Sequence, residues 1–326
     1  MAGALWTLGR ALCVIRRLQI PVLGLLLLLG LIPATARPEG VDVVVTIKPI
    51  HSLVSQVMEG VAQPTLLVDG SSSPHSYSLK PSHIRAIDAA GVFIRVSERL
   101  EPFTGKIVRS LPASVRLVTL VDAPGIKLLG QRQTGTFERH KDDHDAPDHA
   151  DDSSKDSHIW LDPDNAKAIG RYVGDVLSER YPQHAAQFRA NAERLSQQID
   201  ALTRELEATT QPMRGRPFIV FHDAYQYFEL RFDLDAVGSI TISPDVQPSA
   251  KRLTELRQKI RSLQAVCVFA EPLFQSRLVA ALTEGTDARA GTLDPEGMSL
   301  EPGPQLFFML MRNLAASLKS CLAPAT

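Results

Sequence analysis

The chain has 326 residues, with 35 basic and 36 acidic side chains, a formal charge of −1, and three cysteines. It shows no basic block and no interleaving of aromatic and basic residues, which excludes a nucleic-acid binder. HExxH, C-x-x-C and nucleophile-elbow signatures are also absent from the sequence.

Residues 1–36 read as a secretory signal. Arg10, Arg16 and Arg17 form the basic region, Ile20–Ile32 is an apolar run of 13 residues, and Ala34-Thr35-Ala36 is a small-x-small cleavage site. The run is short for a membrane span and contains Pro21, Gly24 and Gly30. Cys13 lies upstream of it, where a lipidation cysteine would not be. Cleavage near Ala36 leaves 290 residues, 32 basic and 36 acidic, for a net charge of −4. That length suits two lobes, each with its own core. Cys267 and Cys321 are the cysteines that remain. In an exported chain they read as one disulfide, with two buried thiols as the alternative.

Apolar β-branched runs at Val41–Ile47, Val92–Val96, Leu117–Leu120, Phe218–Phe221 and Ala265–Phe269 have the near-continuous character of buried parallel strands. Helical spacing follows over Pro49–Glu59 and Ser82–Ala90, with Ser82 expected as a cap. This alternation predicts an α/β architecture with parallel sheets. Asp162-Pro163 starts a helix that ends at Tyr181-Pro182, and a second long helix runs from about Pro182 to Thr209. The expected organisation is a first lobe over 37–162, a linking helix over 163–181 and a second lobe over 182–326. Within the first lobe, 131–157 holds His140, His144, His149 and seven aspartates around one large apolar residue, Phe137. It is expected to be a mobile surface loop.

Three histidines stand in distinctive segments: His75 in PHSYSLKPS, His158 in SHIWLDP and His222 in VFHDAYQYFE. Taken singly, each has an ordinary explanation as a loop, junction or strand-end histidine. Converged by a fold, three imidazoles would be a ligand set for zinc above all. Asp223 could accept from His222 or from a neighbouring loop. Asp294 in TLDPEG is the candidate oxygen ligand; its plainer reading is an Asx turn before proline. His51, His83 and His184 are expected to be solvated or to pack.

Taken in order, IKPIHSLV, PHSYSLKPS, SHIWLDP, VFHDAYQYFE, ISPDVQPSAKRL, FAEPLF and TLDPEG resemble the metal-binding solute-binding proteins of ABC-type importers, and among them the ZnuA-type zinc branch. The resemblance covers almost all of the chain after the signal. It implies two α/β lobes joined by a long rigid helix, with one Zn²⁺ in the cleft between them. It implies His75, His158 and His222 as ligands, Asp294 as the fourth, and a Cys267–Cys321 disulfide in the second lobe. It further implies a periplasmic, monomeric receptor that performs no bond chemistry. Its partners would be an ABC-type zinc permease of the inner membrane and a periplasmic zinc chaperone. His140, His144 and His149 would then bind zinc secondarily, raising its local concentration or sensing occupancy. Some members of the zinc branch carry an acid just before the first histidine; here that residue is Pro74. A manganese or iron receptor of the same family and a secreted zinc hydrolase are the alternatives, with a surface adhesion protein behind them.

Overall fold

The computed structural model describes residues 40–70, 72–132, 137, 155–241, 247–274 and 276–323. Their strands form two four-stranded parallel sheets. β1 (Val43–Ile47), β2 (Thr65–Val68), β3 (Val92–Arg95) and β4 (Arg116–Thr119) lie in the order β2-β1-β3-β4. β5 (Pro217–His222), β6 (Asp235–Thr241), β7 (Cys267–Ala270) and β8 (Arg289–Thr292) lie in the order β6-β5-β7-β8. The two sheets thus repeat one topology, and in each the strand order reverses beside the first strand of its set. Side chains that follow the strands at such a reversal face an open crevice, where parallel sheets bind ligands.

The five apolar runs all become strands, with ends shifted by one or two residues. Beyond those five, β2 holds the short apolar run Leu66–Val68, whereas β6 and β8 escaped the sequence reading for a physical reason. β6 (DAVGSIT) is broken by Gly238 and Ser239, and β8 (RAGT) is an edge strand open to solvent, so neither needs a continuous apolar run. The helices are α1 (Lys48–Val57), α2 (Pro81–Asp88), α3 (Thr104–Arg109), α4 (Pro163–Arg180), α5 (Ala185–Thr210), α6 (Gln226–Phe232), α7 (Ala250–Leu263), α8 (Ser276–Thr283) and α9 (Leu306–Leu322). Asp162 caps α4 by accepting from the Asp164 amide at 2.9 Å, with Pro163 in the first turn. Ser82 is not a cap: α2 begins one residue earlier, with Lys80 at the cap and Pro81 in the first turn. None of the described helices is long and apolar enough to cross a membrane.

Length suggested a separate core for each lobe, but the larger core is shared. It runs from the first sheet through α1, α4, α5 and α9 to Phe218, Val220 and Phe269 on one face of the second sheet. The opposite face, Ile219, Phe221 and Val268, packs under α7 and α8 in a smaller core. The period-2 alternation of strand side chains produces this division. α4 and α5 approach closely because Gly170 and Gly174 present no side chain. A Cβ on Gly174 would stand 3.0 Å from that of Ala192. Trp160, at the entrance to α4, is wholly buried and donates from Nε1 to the Pro295 carbonyl at 2.8 Å, tying the middle of the chain to the loop that follows β8.

Candidate metal centre

Three segments converge on one point. His222 is the last residue of β5, at the crevice beside β7, and only 3% of it is exposed. His158 leads the short 3-10 turn Ile159–Leu161 and is also buried. His75 arrives on the loop after β2; its amide donates to Ser73 Oγ at 3.3 Å, and Tyr77 OH pins the loop by donating to the Leu67 carbonyl at 2.9 Å. One ring nitrogen from each of the three histidines lies within 4.8 Å of the other two. His158 Nε2 and His222 Nε2 are 3.4 Å apart, and His75 Nε2 is buried without a hydrogen-bond partner among the described residues.

The other ring nitrogens decide the chemistry. His158 Nδ1 lies 2.7 Å from Asp156 Oδ1, and His222 Nδ1 lies 2.8 Å from both oxygens of Glu271. A carboxylate accepts, so each Nδ1 carries the proton and each Nε2 turns a lone pair inward. Two acceptor nitrogens facing each other at 3.4 Å repel unless a cation stands between them. Asp156 is itself fixed: it accepts from the His158 amide, and its carbonyl accepts from Tyr227 OH at 2.8 Å. Glu271 follows β7 and accepts from Tyr225 OH at 3.1 Å.

Burial, together with the charge the other two rings could carry, holds the His75 imidazole well below its ordinary titration range. Burial also opposes charge on His222, but Glu271 outweighs it and raises that ring above its ordinary value. A neutral imidazole can bind a metal and a protonated one cannot, so the two rings meet competition from protons in different pH ranges.

Asp294 is not part of this cluster. Its Oδ1 accepts from the Glu296 amide at 3.1 Å and its Oδ2 from the Ser299 amide at 3.5 Å, as an Asx-type turn requires. Burial raises its carboxyl above the usual range. Asp223 does not orient His222 either. It pairs with Arg132 at 3.0 Å, and burial pushes it up to about 7 despite that guanidinium. The place behind His222 is taken by Glu271, from the FAEPLF segment, to which the sequence had assigned no role of its own. Asp156 had been counted among the acids of the 131–157 loop, although it is 3% exposed and bonded to His158. The ends of that stretch are anchored rather than free: Gly130 and Lys155 form an antiparallel bridge, and Arg132 and Phe137 are buried in contacts. His140, His144 and His149 lie outside the described residues. The lower-ranked histidines stay outside the cluster: His51 bonds the Pro64 carbonyl, His83 stacks on Tyr77 and His184 packs edge-on against Phe188.

Known proteins bear on this geometry. The family model described as ZnuA, "Zinc-uptake complex component A periplasmic", matches residues 43–321. The chain belongs to this family. The high-affinity zinc uptake system protein ZnuA of Brucella suis biovar 1 (strain 1330) is 43% identical over 322 residues, covering 91% of this chain and 96% of that protein. Its namesake from Paracoccus denitrificans (strain Pd 1222) is 34% identical over 324 residues, covering 90% and 95%. A crystal structure of ZnuA superposes with a TM-score of 0.73 at 22% identity, covering 87% of this chain and all of that one, which bears on the fold alone. The segments that carry His75, His158 and His222 fall inside the matched region. Cys267 and Cys321 form a disulfide that joins the first residue of β7 to the last turn of α9.

Proposed function

We propose that this chain captures one Zn²⁺ outside the cytoplasmic membrane through His75, His158 and His222, and delivers it to an ABC-type permease. The supporting observation is the inward convergence of three imidazole nitrogens, two of them locked in the required tautomer by buried carboxylates. Membership in a periplasmic zinc-uptake family supports the same reading. A ligand set dominated by three imidazole nitrogens suits zinc better than manganese, which favours oxygen. No water held over the ion by a general base is needed for capture and release, so the centre acts as a receptor. The proposed organisation keeps α4 as the connection between a lobe on the first sheet and a lobe on the second. A cleaved signal over 1–36, a monomeric state and a zinc chaperone as second partner belong to the same reading.

The fourth position is assigned to Asp294 if the ion draws its carboxylate from the turn, and to water otherwise. X-ray absorption of the zinc-loaded wild type and Asp294→Ala separates the two. Calorimetry on the mature chain tests the whole reading: one tight equivalent of Zn²⁺ is expected. No tight equivalent, or a tight site that survives loss of all three histidines, overturns it.

A further inference from the structure

The base of the acidic loop is built into the metal centre through one buried cation. The chain leaves β4 and reaches Leu129, whose amide donates to Tyr227 OH on α6 at 3.1 Å, while its carbonyl accepts from the Asp156 amide at 2.9 Å. With the Gly130–Lys155 bridge, this makes a two-stranded ribbon whose returning strand carries Asp156 and, two residues on, His158. At the tip of the outgoing strand Arg132 enters the second half of the molecule. Its Nη1 is 3.0 Å from Asp223 Oδ1 and its Nη2 is 2.6 Å from Glu229 Oε2; the three side chains are 10%, 3% and 4% exposed. The guanidinium lies 4.0 Å above the Phe137 ring. Phe137 is held in turn by its amide on the Val237 carbonyl at 3.1 Å and by Lys259, which donates to its carbonyl at 2.8 Å.

We propose that Arg132 is a positioning residue for zinc, a role that rests on the zinc-receptor reading of the three-histidine centre. It grips Asp223, the neighbour of ligand His222, and it also fixes the ribbon that presents Asp156 to ligand His158. One side chain therefore holds two of the three ligands in register. Arg132 is the shared ion-pair partner of two nearly buried carboxylates, so its loss takes a compensating charge from beside the site. Lysine cannot replace it fully, because a point ammonium does not bridge two carboxylates and stack on a ring as a planar guanidinium does.

The test is the rate of zinc release to an excess of chelator, followed by stopped flow on the mature full chain, together with the melting temperature of the metal-free protein. Arg132→Met is expected to release zinc about 10–100-fold faster, the range seen when groups that orient metal ligands are lost. Arg132→Lys is expected to fall between it and the wild type. The paired Cys267→Ser, Cys321→Ser variant supplies the structural control. Its disulfide lies at the opposite end of β7 from Glu271, so it should melt earlier yet release zinc at the wild-type rate. Wild-type release from Arg132→Met overturns the proposal, as does an equal acceleration in the disulfide variant. If Arg132→Met does not fold, Arg132→Lys and Phe137→Ala carry the test, and unchanged release in both overturns it. Absence of tight zinc binding in the wild type would instead strike the reading on which the role rests.

Discussion

The two sheets share one strand order, yet only the second puts chemistry at its reversal point. There β5 ends in His222, and β7 is followed by Glu271, which bonds it. The corresponding point of the first sheet is closed on itself. Glu101 is fully buried and accepts from Thr46 Oγ1 and from the Val96 and Ser97 amides, and burial pushes its carboxyl up to about 7. Lys48, after β1, spends its ammonium on the Met298 and Leu300 carbonyls at 2.8 Å. The first sheet's contribution to the histidine cluster, His75, comes instead from the loop after β2. Topology thus supplies a crevice twice; a site arises only where the strand end carries a lone pair that its neighbour orients.

This contrast can be broken by measurement. The largest effects should come from the ligands: His222→Ala and His75→Ala are each expected to weaken zinc binding by more than about 100-fold, above the usual loss for an outer partner. His222, preorganised by its strand and by Glu271, should show the greater loss by calorimetry. A near-silent His222→Ala would make the loop, and not the strand end, the seat of the site.

Removing the orienting groups should cost about 10–100-fold in affinity for Glu271→Gln and for Asp156→Asn. Glu271→Gln also has a signature in pH. In the wild type His222 titrates above the ordinary histidine value, so zinc affinity should begin to fall as pH drops below that raised value. Removing the glutamate charge lowers the His222 pKa, so the onset should move to lower pH even as affinity at high pH decreases. An onset that stays in place would show that Glu271 does not set the ring's proton affinity.

Two changes away from the crevice should spare the tight site. The paired Cys267→Ser, Cys321→Ser variant opens a 54-residue separation. Loop entropy puts its loss at about 4 kcal/mol, or roughly 8–16 °C in melting temperature. Zinc affinity should stay within about twofold of wild type. The smallest effect on the first equivalent is expected on excising 138–154, which should remove only the weak phase of a zinc titration. Loss of the first equivalent would place His140, His144 or His149 in the main site.

What could be read in the sequence follows the range of the interaction. His75, His158 and His222 were legible because each sits in a distinctive local segment, and β5 because Phe218–Phe221 is a continuous apolar run. The parallel α/β class followed from the same runs. Asp156 was hidden by its company, one of seven aspartates in a polar stretch, and nothing local separates it from its neighbours. Glu271 and Arg132 act on partners 49 and 91 residues away, respectively. Those pairings exist only once β5, β7 and the ribbon have assembled. Asp294 shows the reverse case: the local signal of an Asx turn was sound, and it describes the residue's contacts better than a ligand role does.

α9 has a mechanical consequence. Its first turn is held by the α1 residue Ser52, whose hydroxyl accepts from the Phe307 amide and donates to the Pro304 carbonyl, while its last turn is covalently welded to β7. Seventeen helical residues make a strut of about 26 Å that is fastened to both halves. On the proposed organisation, in which α4 connects the lobes, this is a second tie that would restrain the halves from swinging apart. Exchange of a bare ion needs only a few ångströms of clearance. The clock for loading and unloading would then be set by successive rupture of imidazole–metal bonds, and not by a wide opening of the cleft.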